Sequence, residues 1–307
     1  MQTASYFLVP LTLFVLLSLA KGQPLVPEMF LLGDSRLPVD LIAENIGFTS
    51  HPPAYLSENA TGSNLLIGAN FASASCGYYD TTAKLYVSEI HYKEYQKQLV
   101  AIAGQSNASS IISGGLYMLS DGASDFLQNY YINPLLYKVY TPDQFSDILI
   151  HSYSNFIQKL YGLGARKIGV TSLQPLGCLP AAITVFGEDS NKCVDKLNRD
   201  AVSFNNKLNT TSQSLQKQLS GLNLLVFDIY KPLLDLVKNP ANNGFAEARK
   251  ACCGTGLLET SILCNPKSIG TCANATEYVF WDGFHPSDAA NKILSDALLL
   301  EGISLIF

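Results

Sequence analysis

Short apolar runs rich in β-branched and aromatic residues alternate along this chain with longer stretches of helical periodicity. Residues 29–32, 65–71, 116–119, 167–171 and 224–227 predict strands. The clearest helix between them starts at Thr141. There Thr141-Pro142-Asp143-Gln144 offers an N-cap, a proline at the first helical position and a capping-box glutamine. Phe145, Ile148, Leu149, Phe156, Ile157 and Leu160 follow on one face, and Gly162 and Gly164 stop the helix just before the next strand. A polar helix is predicted over 196–219. A last one is predicted from near Ser287, burying Ala290, Ile293, Leu294 and Leu298. Alternation of this kind predicts an α/β fold, a central parallel sheet with helices on both faces. Ligands of such sheets bind beyond the carboxyl ends of the strands. Ser35, Gly77 and Ser124 each lie just past an apolar run, so one rim can collect all three.

The first apolar stretch, residues 6–20, has a different character. It ends in Ala20-Lys21-Gly22, small residues at cleavage-type spacing, and reads as a secretory signal over 1–22. It is short for a membrane span and lacks a stop-transfer cluster, so no stable span is expected. From 23 to 307 there is no repeat, low-complexity tract or linker, which predicts a single domain. With 307 residues, 48% of them hydrophobic, the chain can bury a sizeable core. A net charge of -5 with 15% charged residues excludes the basic face that nucleic acid requires.

Seven cysteines and four Asn-x-Ser/Thr sequons, at Asn59, Asn107, Asn209 and Asn274, fit an extracellular or cell-wall glycoprotein. Cys178 and Cys193 are expected to pair. Cys252, Cys253, Cys264 and Cys272 are expected to form two local bridges of open connectivity, leaving Cys76 as a buried free thiol. No cysteine pair has metal-ligand spacing with nearby histidines, so no metal is expected.

Two strings carry candidate chemistry. The first run ends in Gly33-Asp34-Ser35, and Trp281-Asp282-Gly283-Phe284-His285-Pro286 precedes the last helix. A serine hydroxyl becomes a nucleophile when a base takes its proton. Histidine titrates near neutrality, and a carboxylate holds its tautomer and steadies the imidazolium. His51, His91 and His151 have no acid at a telling spacing and read as surface or packing residues.

These strings, with Leu66-Ile67-Gly68-Ala69-Asn70-Phe71-Ala72-Ser73, Gly122-Ala123-Ser124-Asp125-Phe126, Pro175-Leu176-Gly177-Cys178-Leu179-Pro180 and Ala251-Cys252-Cys253-Gly254, carry a resemblance to the plant GDSL esterase/lipase family. It runs from about Met29 to the C-terminus. The resemblance implies a three-layer α/β/α flavodoxin-like fold, no cofactor, and hydrolysis of a lipid or cell-wall acyl ester. It implies Ser35 as nucleophile, His285 as base and Asp282 as its orienting acid. The oxyanion hole would comprise the Ser35 and Gly77 N–H groups and the Ser124 side chain. The chain departs from the family in two places. Ser124 stands where the family usually has asparagine. After Ser35 the family continues Gly-Asp-Ser-x-x-Asp-x-Gly-Asn-Asn and several tens of further residues, whereas here Ser35 joins directly to Arg36-Leu37-Pro38-Val39, which resembles the helix beyond that segment. A smaller contraction falls near 86–92. The missing wall defines a competing reading, a catalytically inactive secreted glycoprotein that binds lipid, cell-wall polymer or protein.

Overall fold

The computed structural model describes residues 25–33, 39–79, 84–188, 191–260, 263–265 and 267–306. The signal peptide over 1–22 and the proposed nucleophile Ser35 lie outside them.

The chain runs through β1 (Met29–Gly33), α1 (Val39–Asn45), β2 (Gly68–Asn70), α2 (Lys84–Ala103), α3 (Gln105–Gly114) and β3 (Leu116–Ser120). A π-helical turn, Asp125–Tyr131, leads into α4 (Pro134–Val139), α5 (Pro142–Gly162) and β4 (Lys167–Thr171). Then come α6 (Pro180–Phe186), α7 (Asp195–Gln218), β5 (Asn223–Phe227) and α8 (Tyr230–Lys238). Two short strands, β6 (Glu247–Ala251) and β7 (Tyr278–Phe280), precede α9 (Asp288–Ile306). The five main strands form one parallel sheet in the order β2-β1-β3-β4-β5, the flavodoxin-like order.

Strand alternation sorts the core into two layers. Phe30, Leu32, Tyr117, Leu119, Ile168 and Val170 face one layer. Met29, Leu31, Leu116 and Met118 face the other, against Ile42 of α1, Ile46 just after it, and Leu298 and Leu305 of α9. In the first layer Phe30 stacks on Tyr117 at 4.5 Å and meets Tyr92 and Tyr95 edge-on.

The capping box at Thr141 forms as its sequence predicts. Gln144 N donates to Thr141 Oγ1 at 3.2 Å, and Thr141 N donates to Gln144 Oε1 at 2.9 Å. The contraction near 86–92 falls inside α2, which runs unbroken across it. The run 65–71 is a correction: residues Gly62–Ile67 form a 3-10 helix that buries Leu65, and only Gly68–Asn70 pair as a strand. Periodicity alone does not separate a short buried helix from a buried strand. Gly68 makes the switch, with φ +100 and Met29 O just 2.0 Å from where a Cβ would stand. Asn70 ends the strand by accepting Ala72 N at 2.9 Å on its side chain. The β6–β7 pair and the π-helical turn had no counterpart in the sequence pattern.

Candidate active site

Asn70, Ser120 and Thr171 close β2, β3 and β4, and all three line a cavity of about 580 Å³ on the carboxyl rim of the sheet. β1 ends at the same rim, because Gly33 pairs with Ser120 in the parallel ladder. Ser35 lies two residues further along the chain.

The other side of the cavity is the segment before α9. Phe280 bridges to Pro286, and Trp281 N donates to His285 O at 2.9 Å, folding 281–285 into a tight loop. Asp282 is 1% exposed. Its Oδ1 accepts Phe284 N at 2.9 Å and His285 N at 2.8 Å, and His285 Nδ1 lies 2.8 Å from both carboxylate oxygens. Burial alone would raise the Asp282 carboxyl, but the His285 hydrogen bond and charge and the two backbone N–H groups hold it below the ordinary carboxylate range. With Nδ1 engaged, the other ring nitrogen of His285 is left for chemistry, and the ring lines the cavity.

A neighbouring loop clamps this segment from outside. Cys253–Cys264 closes it, and Cys252–Cys272 ties its base. Inside it the Glu259 carboxylate accepts Thr255 N, Thr255 Oγ1, Leu257 N and Leu258 N at 2.9–3.3 Å. Desolvation opposes its charge, yet these bonds hold its pKa at about 2. So ordered, the loop accepts Gly283 N on Glu259 O at 2.9 Å and donates from Thr260 Oγ1 to Asp282 Oδ2 at 3.2 Å. Thr260 is a residue that the sequence reading missed. It stands 22 positions before Asp282 in no motif, and only the loop fold brings it there.

On the opposite wall, Ser124 is 7% exposed, lines the cavity and accepts Gln128 Nε2 at 3.5 Å. Asp125 is fully buried. Its carboxylate accepts Tyr78 N at 2.7 Å and Tyr79 N at 3.2 Å, pinning the loop that carries Gly77. Gly77 is itself buried, and a Cβ there would stand 2.3 Å from Asp125 Oδ1, so only glycine lets that carboxylate reach the loop. Gly77 is not among the cavity-lining residues, although Ser73, Ala74 and Ser75 just before it are. The structure therefore puts His285 and Ser124 on one cavity with Asp282 bonded to the histidine, and Ser73, Ala74 and Ser75 bring the segment that leads into Gly77 to the same cavity.

The cysteine pairs form as Cys178–Cys193, Cys252–Cys272 and Cys253–Cys264, and Cys76 is a buried thiol outside these disulfides. Cys76 Sγ lies 3.9 Å from Asp121 Oδ2, beside the cavity. Asn59, Asn107, Asn209 and Asn274 are all exposed. His91 stacks near Tyr55 and His151 is exposed beside Asn155, in line with packing and surface roles. His51 corrects the sequence reading, because it does have an acid: Glu44 Oε1 is 3.2 Å from its Nε2 across an exposed turn. Among the described residues, no group of three His, Cys, Asp or Glu could hold a metal ion, and no helix is long and apolar enough to cross a membrane.

Residues 27–298 match the family described as GDSL-like Lipase/Acylhydrolase. The chain belongs to that family. A GDSL esterase/lipase of Arabidopsis thaliana is 59% identical, with 95% of this chain and 93% of the relative covered. That alignment spans 338 positions, more than the 307 residues of this chain, so the relative carries segments this chain lacks. A second Arabidopsis thaliana GDSL esterase/lipase is 52% identical with 93% of each chain covered. GDSL esterase/lipase APG from the same plant is 58% identical over 89% of this chain and 79% of its own length. This GDSL hydrolase is thus an enzyme class acting on ester bonds, built on the α/β sheet described above.

Proposed function

We propose that this GDSL hydrolase is a secreted serine carboxylester hydrolase. Ser35 attacks the ester carbonyl, His285 takes its proton and returns it to the leaving alcohol, and Asp282 orients His285. Water then clears the acyl-enzyme by the same route in reverse. The Ser35 and Gly77 N–H groups and the Ser124 hydroxyl stabilise the developing oxyanion. The observation that carries this reading is the buried Asp282 carboxylate on His285 Nδ1 at 2.8 Å, facing a cavity at whose rim β1 ends two residues before Ser35. Its substrates are lipid or cell-wall acyl esters. Residues 1–22 direct the chain into the secretory pathway, where the 23–307 domain acquires its disulfides and N-glycans; the exposed sequons and three disulfides support that compartment.

One preparation tests the reading. Expressed in plant cells, the chain should appear outside the cell, lose about its first 22 residues and gain mobility on deglycosylation. A fluorophosphonate should then label it at Ser35. An intact, sugar-free cytosolic product overturns the compartment, and a secreted product that fluorophosphonate does not label overturns the nucleophile.

Thr260 acts as a positioning residue for the acid. Thr260→Val removes the donor to Asp282 Oδ2, one of the bonds that fix the carboxylate against His285 Nδ1. Turnover should fall by roughly tenfold with KM unchanged, because the triad geometry matters most in the transition state, and Thr260→Ser should restore it. A loop defect without this role would lower stability and leave kcat in place.

A further inference from the structure

A second cavity, of about 450 Å³, lies at the edge of the main sheet. Strand β5 is last in the sheet order and pairs with β4 alone among the described strands. Helix α7 packs along it, and Gln216 of that helix holds the start of the strand, its Oε1 accepting Leu224 N at 2.8 Å. Val202, Asn206 and Asn209 are spaced four and three residues apart on one face of α7, and they line the cavity together with Leu225 and Val226 of β5.

The wall combines two chemistries. Val202 is 40% exposed, and Leu225 and Val226 are only half-buried, so the edge strand keeps an apolar surface open to solvent. Folded proteins normally blunt such an edge with a charge, a proline or a covering segment, because it can pair with another chain. Just past the strand, Asp228 and Glu301 bring carboxylates to the same cavity, with Glu301 Oε2 accepting Asp228 N at 2.9 Å. An apolar floor ending in acceptors suits a sugar ring, whose C–H faces are apolar and whose hydroxyls donate.

Asn209 opens the sequon Asn209-Thr210-Thr211 and is exposed in the cavity wall. Asn59, Asn107 and Asn274 line neither this cavity nor the one beside His285. A free monosaccharide would hold weakly to so open a groove. A sugar attached to Asn209 is already tethered there, so its contacts are intramolecular and weak ones suffice.

We propose that the N-acetylglucosamine core of an N-glycan on Asn209 packs into this groove and covers the β5 edge. This rests on the secretory reading, which supplies the glycan, and adds the surface of the folded chain that receives it.

The test uses the full chain secreted from plant cells treated with kifunensine, so that every glycan is of the high-mannose type. Peptide N-glycosidase F is applied under native conditions, and release at each asparagine is followed by mass spectrometry. Cleavage tracks the fraction of time a glycan stands clear of the surface, so release at Asn209 should be about tenfold slower than at Asn59, Asn107 and Asn274. The four rates should converge after denaturation. Val202→Asp, at an exposed helix position, should bring Asn209 to the rate of the other three and leave theirs unchanged. Asn209→Gln should increase self-association in light scattering, and Asn107→Gln should not. Equal native release at all four sites, or protection at Asn209 that Val202→Asp leaves intact, overturns the groove. Unchanged association of Asn209→Gln overturns the covering of the edge. If Asn209 alone carries no sugar, this inference falls and the secretory reading stands. If none of the four carries sugar and residues 1–22 are retained, both fall.

Discussion

Ser35→Ala and His285→Ala are each expected to abolish ester hydrolysis. In comparable triads, loss of the nucleophile or of the base costs roughly 10⁶-fold in kcat, about as much as removing the whole triad, because neither acts without the other. The expectation is stronger for His285 than for any other histidine of the chain. His51 sits on an exposed turn, His151 is exposed, and His91 packs near Tyr55, whereas His285 alone lines the cavity with a buried carboxylate on its Nδ1. Asp282→Asn should cost less, roughly 10⁴-fold, through the wrong tautomer. Its remaining oxygen can still accept Phe284 N and His285 N, which hold the loop. The measurement is kcat on a nitrophenyl ester with circular dichroism as the folding control. Near wild-type turnover in a folded Ser35→Ala or His285→Ala protein would remove the triad.

The second large effect is on stability and lies at the opposite end of the sheet. Glu28 immediately precedes β1, is 2% exposed, and has one carboxylate oxygen with no hydrogen-bond partner. Burial pushes its pKa up to about 8. It stands close enough to Tyr92, Tyr95 and Tyr117 that its charge adds to the upward push that burial already gives their phenols. The folded chain therefore keeps a proton on Glu28 that the unfolded chain releases near pH 4.5. Between these values the native state binds more protons, so stability falls as pH rises. The contribution is fully present below about pH 4.5 and is lost as pH passes 8. At about 1.4 kcal/mol per pH unit, the loss amounts to roughly 5 kcal/mol. Glu28→Gln, neutral at every pH, should remove that slope and unfold at higher urea than wild type at pH 8, with little difference at pH 5. Parallel slopes for the two proteins would show that Glu28 is ionised and solvated in the native state.

The main parallel sheet follows from strand spacing, and four of its five strands shift by no more than a residue between pattern and structure. The helix at Thr141 was legible because all its signals are local: cap, proline, capping-box glutamine and apolar face lie within one stretch of chain. The run at 65–71 was not, because whether such a run pairs as a strand or curls into a 3-10 turn depends on its neighbour. Here that neighbour is Met29 O, whose close approach only Gly68 permits. The β6–β7 pair escaped for a related reason. Glu247-Ala248-Arg249-Lys250-Ala251 has no apolar alternation and becomes a strand through its pairing partner 27 or more residues away.

The candidate site divides along the same line. Asp282 and His285 are legible because the acid and the base sit three residues apart, so a single loop closes their hydrogen bond. The family motifs likewise point to Ser35, Gly77 and Ser124, and the number of cysteines and their clustering pointed to two local bridges. The choice of Cys252–Cys272 with Cys253–Cys264 was open until the loop fold set which sulfurs meet. Thr260 on Asp282, Asp125 under the Gly77 loop, Glu28 among three tyrosines and the groove beside Asn209 were equally out of reach of the sequence. Motifs and periodicity record what one segment does with itself. Whether a buried polar group finds a partner is decided by which distant segment packs against it, and that packing exists only in the folded chain.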